Sequence, residues 1–482
     1  MNTKTRGVMA FGLTLVVGLT AGCDNESLTD VNQNPNAPEA VDAQYLMPAL
    51  IQESVNTVLG NRSVSMDWSS VWMQHYSSLE YGYDDRYEMP ATFSDGKWDE
   101  LWLGPMIDIQ AVVDQGRAEQ RPNVEAVGLI YRSWMAHVMT DIWGDIPYSQ
   151  STLGTEGPIS PVYDAQAAIY DAILGDLKSA QDMITTSQSL FLGSSFDILY
   201  GGDVEAWRRF SNSLRLRAGM RLTEVDAAKA QSTVASAVLD GTFTTADQAA
   251  SLKYPGAPPN EQPWSEYYRN RPNDYRASIT LVDSLTNTND PRLSVVYQPA
   301  YETDTYVGKQ NGMSDAHGHA FESLSRMGLW FQEAARPSWL MTLEEVLFLK
   351  AEAAARGWIT GDPAEFYHDG IRAAMTRIGV PVAQIDVYLA QARIQYDPAS
   401  WNEQISYQQW IALYDNGMEA WANYRRTGHP KMVPGPAAVL TMVPLRAPYP
   451  SNEQDLNKAN LSAAIARQGG SSPTSPLWWD VN

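Results

Sequence analysis

The chain contains one cysteine, Cys23, and only six histidines in 482 residues. A single cysteine excludes a disulfide framework and any cysteine-rich zinc site. Six histidines leave little material for a histidine-rich metal centre. Basic residues are also scarce: 34 Lys and Arg stand against 56 Asp and Glu, a formal net charge of −22. Nothing in that balance offsets phosphate repulsion, which argues against a nucleic-acid partner. It argues equally against docking on anionic lipid through basic patches. Beyond the N-terminus no apolar run reaches the roughly twenty residues that span a bilayer. A G-x-S-x-G elbow, a phosphate-cradling loop and a dinucleotide fingerprint are all missing, so no cofactor is implied.

Aromatic residues, in contrast, are abundant, with 16 Trp and 24 Tyr. Both carry an apolar ring and a polar handle. The N-terminus reads as an address. Lys4 and Arg6 precede an apolar stretch from Val8 to Leu19, too short to cross a membrane. The stretch ends Leu19-Thr20-Ala21-Gly22-Cys23. Small residues before the only cysteine resemble a bacterial lipobox, which implies removal of residues 1–22 and lipidation of Cys23. Thr20 stands where a leucine is usual. Asp24-Asn25-Glu26 is similar to the surface-export signal of some outer-membrane lipoproteins. Acyl chains on one cysteine anchor a soluble domain to a membrane.

A length of 482 allows roughly two to four domains or one large one. The pattern favours one, covering 42–482, behind a lipidated tether and extended leader over 23–41. Asp30, Asn32 and Asn34 alternate like a calcium loop, but the sixth-place glycine and the closing Glu are missing. Residues 42–240 repeat apolar positions at three and four, which predicts helices. Met47, Leu50, Ile51, Val55 and Val58 form one such stripe after a capping Asp42. Others run over Trp98–Ala118, Val124–Ile142, Tyr163–Ile184 and Val204–Leu222. Residues 241–340 form a loop-rich insertion, opened by Pro255-Gly256-Ala257-Pro258-Pro259, with strand-prone pieces such as Leu293–Tyr297. Loops of this length are often functional. Residues 341–426 return to helix, with capping boxes at Thr342/Glu345 and Ser406/Gln409 and an Asp362-Pro363 start. Residues 427–482 read as irregular. The fold class is therefore mainly α, with tetratricopeptide-like helical hairpins, a loop-rich face and few short strands.

Two constellations of acids and histidines invite a chemical reading and fail to support one. Asp141 and Asp145 flank a Gly and lie close to Pro147, so both fit a turn in which Asp bonds backbone N–H groups. His317 and His319 sit among small residues in a loop. The aromatic loops are more informative. Tyr81, Tyr83 and Tyr87 lie in a Gly/Asp-rich loop with Asp84, Asp85 and Arg86 among them, while Trp264, Tyr267 and Tyr268 precede Arg269, Asn270 and Arg271. Rings mixed with Asn, Asp and Arg suit sugars, whose C–H faces stack while their hydroxyls take hydrogen bonds. These six aromatic residues are the candidate ligand contacts. Trp72 and Tyr76 fall at helical spacing and read as core.

The order of motifs resembles the SusD/RagB family of outer-membrane nutrient-binding lipoproteins, over nearly the whole mature chain. The matching pieces include Asn34-Pro35-Asn36, Asp141-Ile142-Trp143-Gly144-Asp145, Trp207-Arg208-Arg209-Phe210, Arg271-Pro272-Asn273-Asp274-Tyr275, Asn289-Asp290-Pro291-Arg292, Glu345 to Ala353, Trp421 to Gly428 and Trp478-Trp479-Asp480. The resemblance implies four tetratricopeptide-like hairpins, no catalytic activity, and an outer-membrane, cell-surface location. It also implies a partner, a SusC-like TonB-dependent transporter barrel that the lipoprotein caps, with an oligosaccharide held between them. Peptides or another nutrient on the same scaffold are the alternative cargo. A surface glycoside hydrolase would need two carboxyl groups about 5–10 Å apart in a cleft.

Overall fold

The computed structural model describes residues 41–153, 157–315 and 317–481. The signal segment, Cys23 and the leader up to residue 40 lie outside the described residues, so the readings made on them stay expectations. The elements below belong to one unit, Asp42–Asn482.

Helix α1 (Ala43–Leu59) begins where the Asp42 carboxylate accepts from the Gln44 N–H at 3.0 Å. That bond satisfies one of the free donors of the first turn. Its buried stripe is Met47, Leu50, Ile51, Val55 and Val58, as the spacing predicts. The stripe over 98–118 does not form one helix. It breaks into α2 (Asp95–Leu101), a π-helical turn from Trp102 to Met106, and α3 (Ile107–Ala118). Pro105 lies in that turn, and its missing N–H interrupts the regular ladder.

Then come α4 (Pro122–Trp143), α5 (Gln166–Met183), α6 (Val204–Arg221) and α7 (Ala227–Asp240). Gly144, at φ +85°, ends α4 in a conformation that costs an L side chain strain. Each of these helices packs on the next, α3 on α4 through α6 on α7.

The stretch 241–340 holds α8 (Pro263–Asn270), α9 (Ile279–Asn287) and short strands. Strand β1 (Tyr76–Ser78) comes from the preceding region; β2 (Ala250–Leu252), β3 (Tyr275–Ala277), β4 (Tyr297–Gln298), β5 (Arg326–Met327) and β6 (Ser338–Met341) follow in order. They pair antiparallel as β1–β3, β2–β6 and β4–β5. The strand-prone Leu293–Tyr297 is instead a helical turn, Leu293–Val296, leading into β4.

The last part comprises α10 (Leu343–Ala355), α11 (Pro363–Arg377), α12 (Val382–Leu389), α13 (Trp401–Ala412) and α14 (Gly417–Thr427). Ser406 does not cap a helix: it is buried inside α13, which starts five residues earlier at Trp401. The tail is less irregular than its composition suggests, since it carries α15 (Ser451–Leu456) and α16 (Lys458–Arg467). The architecture is thus mainly helical with a few two-stranded ladders, as expected.

Seven tryptophans, including Trp72, Trp207, Trp421 and Trp479, are fully buried. Among them runs a charged network. Arg217 donates to both Glu345 oxygens at 2.6 and 2.7 Å. Arg221 donates to Glu419 and, at 3.2 Å, to Asp141. Asp141 also accepts from the Tyr170 hydroxyl at 2.5 Å and the Trp479 indole at 2.8 Å. These bonds tie α4, α5, α6, α10, α14 and the tail together. Asp141 is therefore not a turn residue; Asp145 is, accepting from the Gln166 N–H at 2.8 Å. Removing one partner of such a buried pair costs about 3–5 kcal/mol, because the other charge is left unmatched.

Candidate functional site

Helix α8 separates two cavities. Gln262 sets its start by accepting from the Trp264 and Ser265 N–H groups at 2.7 and 3.2 Å. Pro263 supplies a pre-formed first turn. Trp264 and Tyr268 stand four residues apart and face the protein. Trp264 sits edge-on to Tyr76 at 5.4 Å and to Phe331 at 5.2 Å. Successive helical residues differ by about 100° in direction. Tyr267 consequently faces a cavity of about 240 Å³, while Tyr268 lines one of about 730 Å³.

The smaller cavity gathers Tyr81 and Tyr83 from the loop after β1, Tyr267 from α8, and Asp67, Asp84 and Asp274. The loop is held from beneath by Asp85. One Asp85 oxygen accepts from the Ser77 hydroxyl at 2.7 Å and from Lys309 at 3.3 Å; the other accepts from the Asn311 amide at 2.6 Å. Arg86 bonds Glu88 and Asp315, each at 2.6 Å, and pins the outer side. The result is a loop with two tyrosines in the left-handed region, Tyr81 at φ +58° and Tyr87 at φ +61°. Side chains rarely adopt that conformation unless the surroundings impose it.

The acids differ in their partners. Asp274 accepts from the Tyr267 hydroxyl at 2.6 Å and from Arg271 at 2.5 Å. Asp67, presented by a π-helical turn from Val64 to Ser69, accepts from the Tyr275 hydroxyl at 2.9 Å. Asp84 is buried and, among the described residues, no group hydrogen-bonds its carboxyl. Burial pushes its pKa well above the usual carboxylate range, and the charges of Asp67 and Asp85 add to the rise. Burial likewise raises Asp67, with the Tyr275 bond opposing it. Tyr267 is raised by burial and by the hydrogen bond it donates to Asp274. Chemically this is a small recess with exposed ring faces and a floor of oxygen acceptors. Its volume lies below the roughly 300–1,000 Å³ of sites for drug-sized ligands, so it suits one ring of a chain better than the whole chain.

Of the aromatic residues singled out in the sequence, Tyr81, Tyr83 and Tyr267 converge here, with Tyr81 and Tyr83 exposed by 56% and 41%. Tyr268 faces the other cavity. Tyr87 and Trp264 belong to the core, at 3% and 4% exposure, and offer no ring face to a ligand. Rings that pack under their own loops are excluded from water just as the rest of the core is. The sequence gives no hint of Asp67, which lies in a predicted helical region. Asp274 and Tyr275 stand out in the sequence only as part of the Arg271-Pro272-Asn273-Asp274-Tyr275 motif. His317 lies 3.3 Å from the Leu79 carbonyl, accepts from the His319 N–H at 3.0 Å and stacks on the His319 ring at 5.5 Å. Among the described residues, no group of three or more His, Cys, Asp or Glu is placed to hold a metal ion.

Residues 35–450 match a family model, SusD-like, described as starch-binding and associating with the outer membrane. The chain belongs to the SusD-like family. Solved structures agree over its length. A chitin-binding protein matches at 27% identity and a TM-score of 0.81, covering 91% of this chain and 99% of that one. A SusD homologue from Bacteroides ovatus matches at 26% identity and 0.78, covering 91% and 99%. A chitin-binding SusD homologue from Flavobacterium johnsoniae, at 23% identity and 0.80, covers 90% and 99%, which shows a shared fold. A comparison with curated proteins found no match. Among the described residues, no helix of this SusD-like protein is long and apolar enough to cross a membrane.

Proposed function

We propose that this SusD-like protein is a non-catalytic glycan-binding lipoprotein. It is anchored in the outer membrane through Cys23, exposed at the cell surface, and passes oligosaccharide to a SusC-like TonB-dependent transporter barrel. The observation that carries the reading is the convergence of Tyr81, Tyr83 and Tyr267 over a floor of Asp side chains. Family membership, with its starch-binding description, and likeness to a chitin-binding protein support the choice of glycan. The binding role is supported by the acids themselves. Asp67 and Asp274 each accept from a tyrosine hydroxyl, which commits both carboxylates to holding aromatic rings.

The test uses the soluble chain starting at Asn25, titrated with neutral glycans and with peptides while tryptophan fluorescence is followed. The expected result is saturable binding of one glycan family, lost in Tyr81→Ala, with no release of reducing ends. Binding of peptides alone would replace glycan by peptide as the cargo. Turnover of the glycan would overturn the non-catalytic reading.

A further inference from the structure

The larger cavity has a different charge from the rest of the molecule. Three guanidinium groups line it, from Arg269, Arg276 and Arg326, against one carboxylate, that of exposed Glu322. Arg269 is already matched, since Glu261 accepts from both its terminal nitrogens at 2.6 and 2.7 Å. The other two are not. Among the described residues, no carboxylate lies within ion-pair distance of Arg276 or Arg326, on a chain with 56 acidic residues to choose from.

Arg276 is 2% exposed. Its guanidinium is held by the carbonyls of Pro272 (2.9 Å), Tyr275 (2.9 Å) and Phe321 (3.1 Å), and by the Asn273 amide oxygen at 2.9 Å. Carbonyl dipoles fix the cation in place but leave its charge whole. Burying an uncompensated charge is costly. Burial accordingly pushes the Arg276 pKa down, and the nearby Arg326 charge adds to the effect, while Tyr268 and the more distant Glu322 and Glu80 only partly oppose it. Arg326 lies on β5 opposite Gln298 of β4, so its position is fixed by the ladder. Its Nε is buried and finds no hydrogen-bond partner. A donor left unmade in that way costs about as much as a lost hydrogen bond. Phe321, Tyr301 and Tyr268 supply ring faces beside these donors, and Gln298 and Gln332 supply amides.

We propose that this groove is a second subsite that takes the carboxylate of a uronic acid residue, so that the natural ligand is an acidic glycan. The inference rests on the glycan-binding reading and narrows it. A planar carboxylate matches the fork of the Arg326 guanidinium, and Arg276 supplies unneutralised charge behind it. The aromatic faces take the C–H side of the sugar ring. At about 730 Å³ the groove holds more than one ring, and its neighbour across α8 extends the path.

The test compares oligogalacturonate with the same oligomer fully methyl-esterified, by calorimetry on the soluble chain. The two differ at the carboxyl group alone, in its charge and one methyl, so no variant is needed for the first reading. The acid is expected to bind roughly tenfold more tightly than the ester, with the difference shrinking as salt rises. Arg326→Gln is expected to remove that difference. Thermal melts of the variant confirm that it folds. Equal binding of acid and ester, or an acid preference that survives Arg326→Gln, would overturn the proposal. Neutral glycans with Tyr81→Ala report separately on the smaller cavity, so failure of the acid subsite is distinguishable from failure of the glycan reading.

Discussion

The Arg271 guanidinium lies 5.1 Å from the centre of the Tyr81 ring, while its Nε is bonded to Asp274. Asp274 in turn holds the Tyr267 hydroxyl. One arginine therefore fixes two of the three rings of the smaller cavity, and it occupies one face of Tyr81. The other face is the one left open for the proposed sugar. Replacing Arg271 by alanine frees both rings without removing either, so it should weaken glycan binding by about two- to fivefold. Tyr81→Ala, which removes the ring, should weaken it by about tenfold. Titration of the two variants with the same glycan checks the order. Equal losses would mean that Arg271 contacts the ligand itself.

The left-handed backbone at Tyr81 gives a second prediction. A non-glycine residue there carries a cost of about 1 kcal/mol. Tyr81→Ala and Tyr81→Gly both abolish stacking, but only glycine relieves the backbone. The glycine variant should therefore be more stable than the alanine variant by about 1 kcal/mol in urea unfolding. Equal stabilities would show that the loop carries no strain at this position.

Trp264 separates packing from recognition. Its ring contacts Tyr76, Tyr275 and Phe331 and is almost fully buried. Trp264→Ala should cost about 3–5 kcal/mol of stability. Tyr83→Ala, at an exposed position, should change stability by no more than about 0.5 kcal/mol while weakening the glycan. Denaturant titration and binding measured on the same two proteins distinguish these roles. If Trp264→Ala melts like the native chain yet loses ligand, the ring is a contact after all.

Much of the helical scaffold was legible because caps and apolar spacing are local signals. Asp42 and Asp362 cap where the sequence says they should. The failures have a common cause, which is competition from distant partners. Thr342 accepts from the Glu345 N–H at 3.4 Å, but Glu345 does not return the bond; its carboxylate goes to Arg217, 128 residues away in sequence. A buried guanidinium is a stronger partner than a backbone amide. Asp141 likewise leaves its turn for Arg221, Tyr170 and Trp479. The site was legible as a class of residue but not as a set. Tyr81, Tyr83 and Tyr87 look alike in the sequence, and only the fold shows that Tyr87 turns inward. Arg276 and Arg326 meet because β3 and β5, members of different ladders, lie in contact, a neighbourhood that no local pattern announces.

Asp84 links the smaller cavity to pH. Its pKa in the folded chain stands well above that of an exposed carboxyl group, about 3.9 when unfolded. The folded state thus binds the proton more tightly than the unfolded state does. Linkage then fixes the sign: this contribution to stability is full below about pH 4 and is lost as pH rises through the folded pKa. At neutral pH the native chain bears either an ionised carboxylate without a partner or the cost of holding its proton. Asp84→Asn keeps the shape and removes the charge, so the variant should melt higher than the native chain at pH 8, with the gap closing towards pH 4. Asp67 and Asp85, which face Asp84 and raise its pKa, should make the gap larger at low salt, whereas Arg62, which opposes them, is exposed and screened. Thermal melts at pH 4, 6 and 8 test this. A gap independent of pH would show that Asp84 does not titrate in this range. A native chain more stable than the variant at pH 8 would mean that the carboxylate has a partner that stabilises its charge.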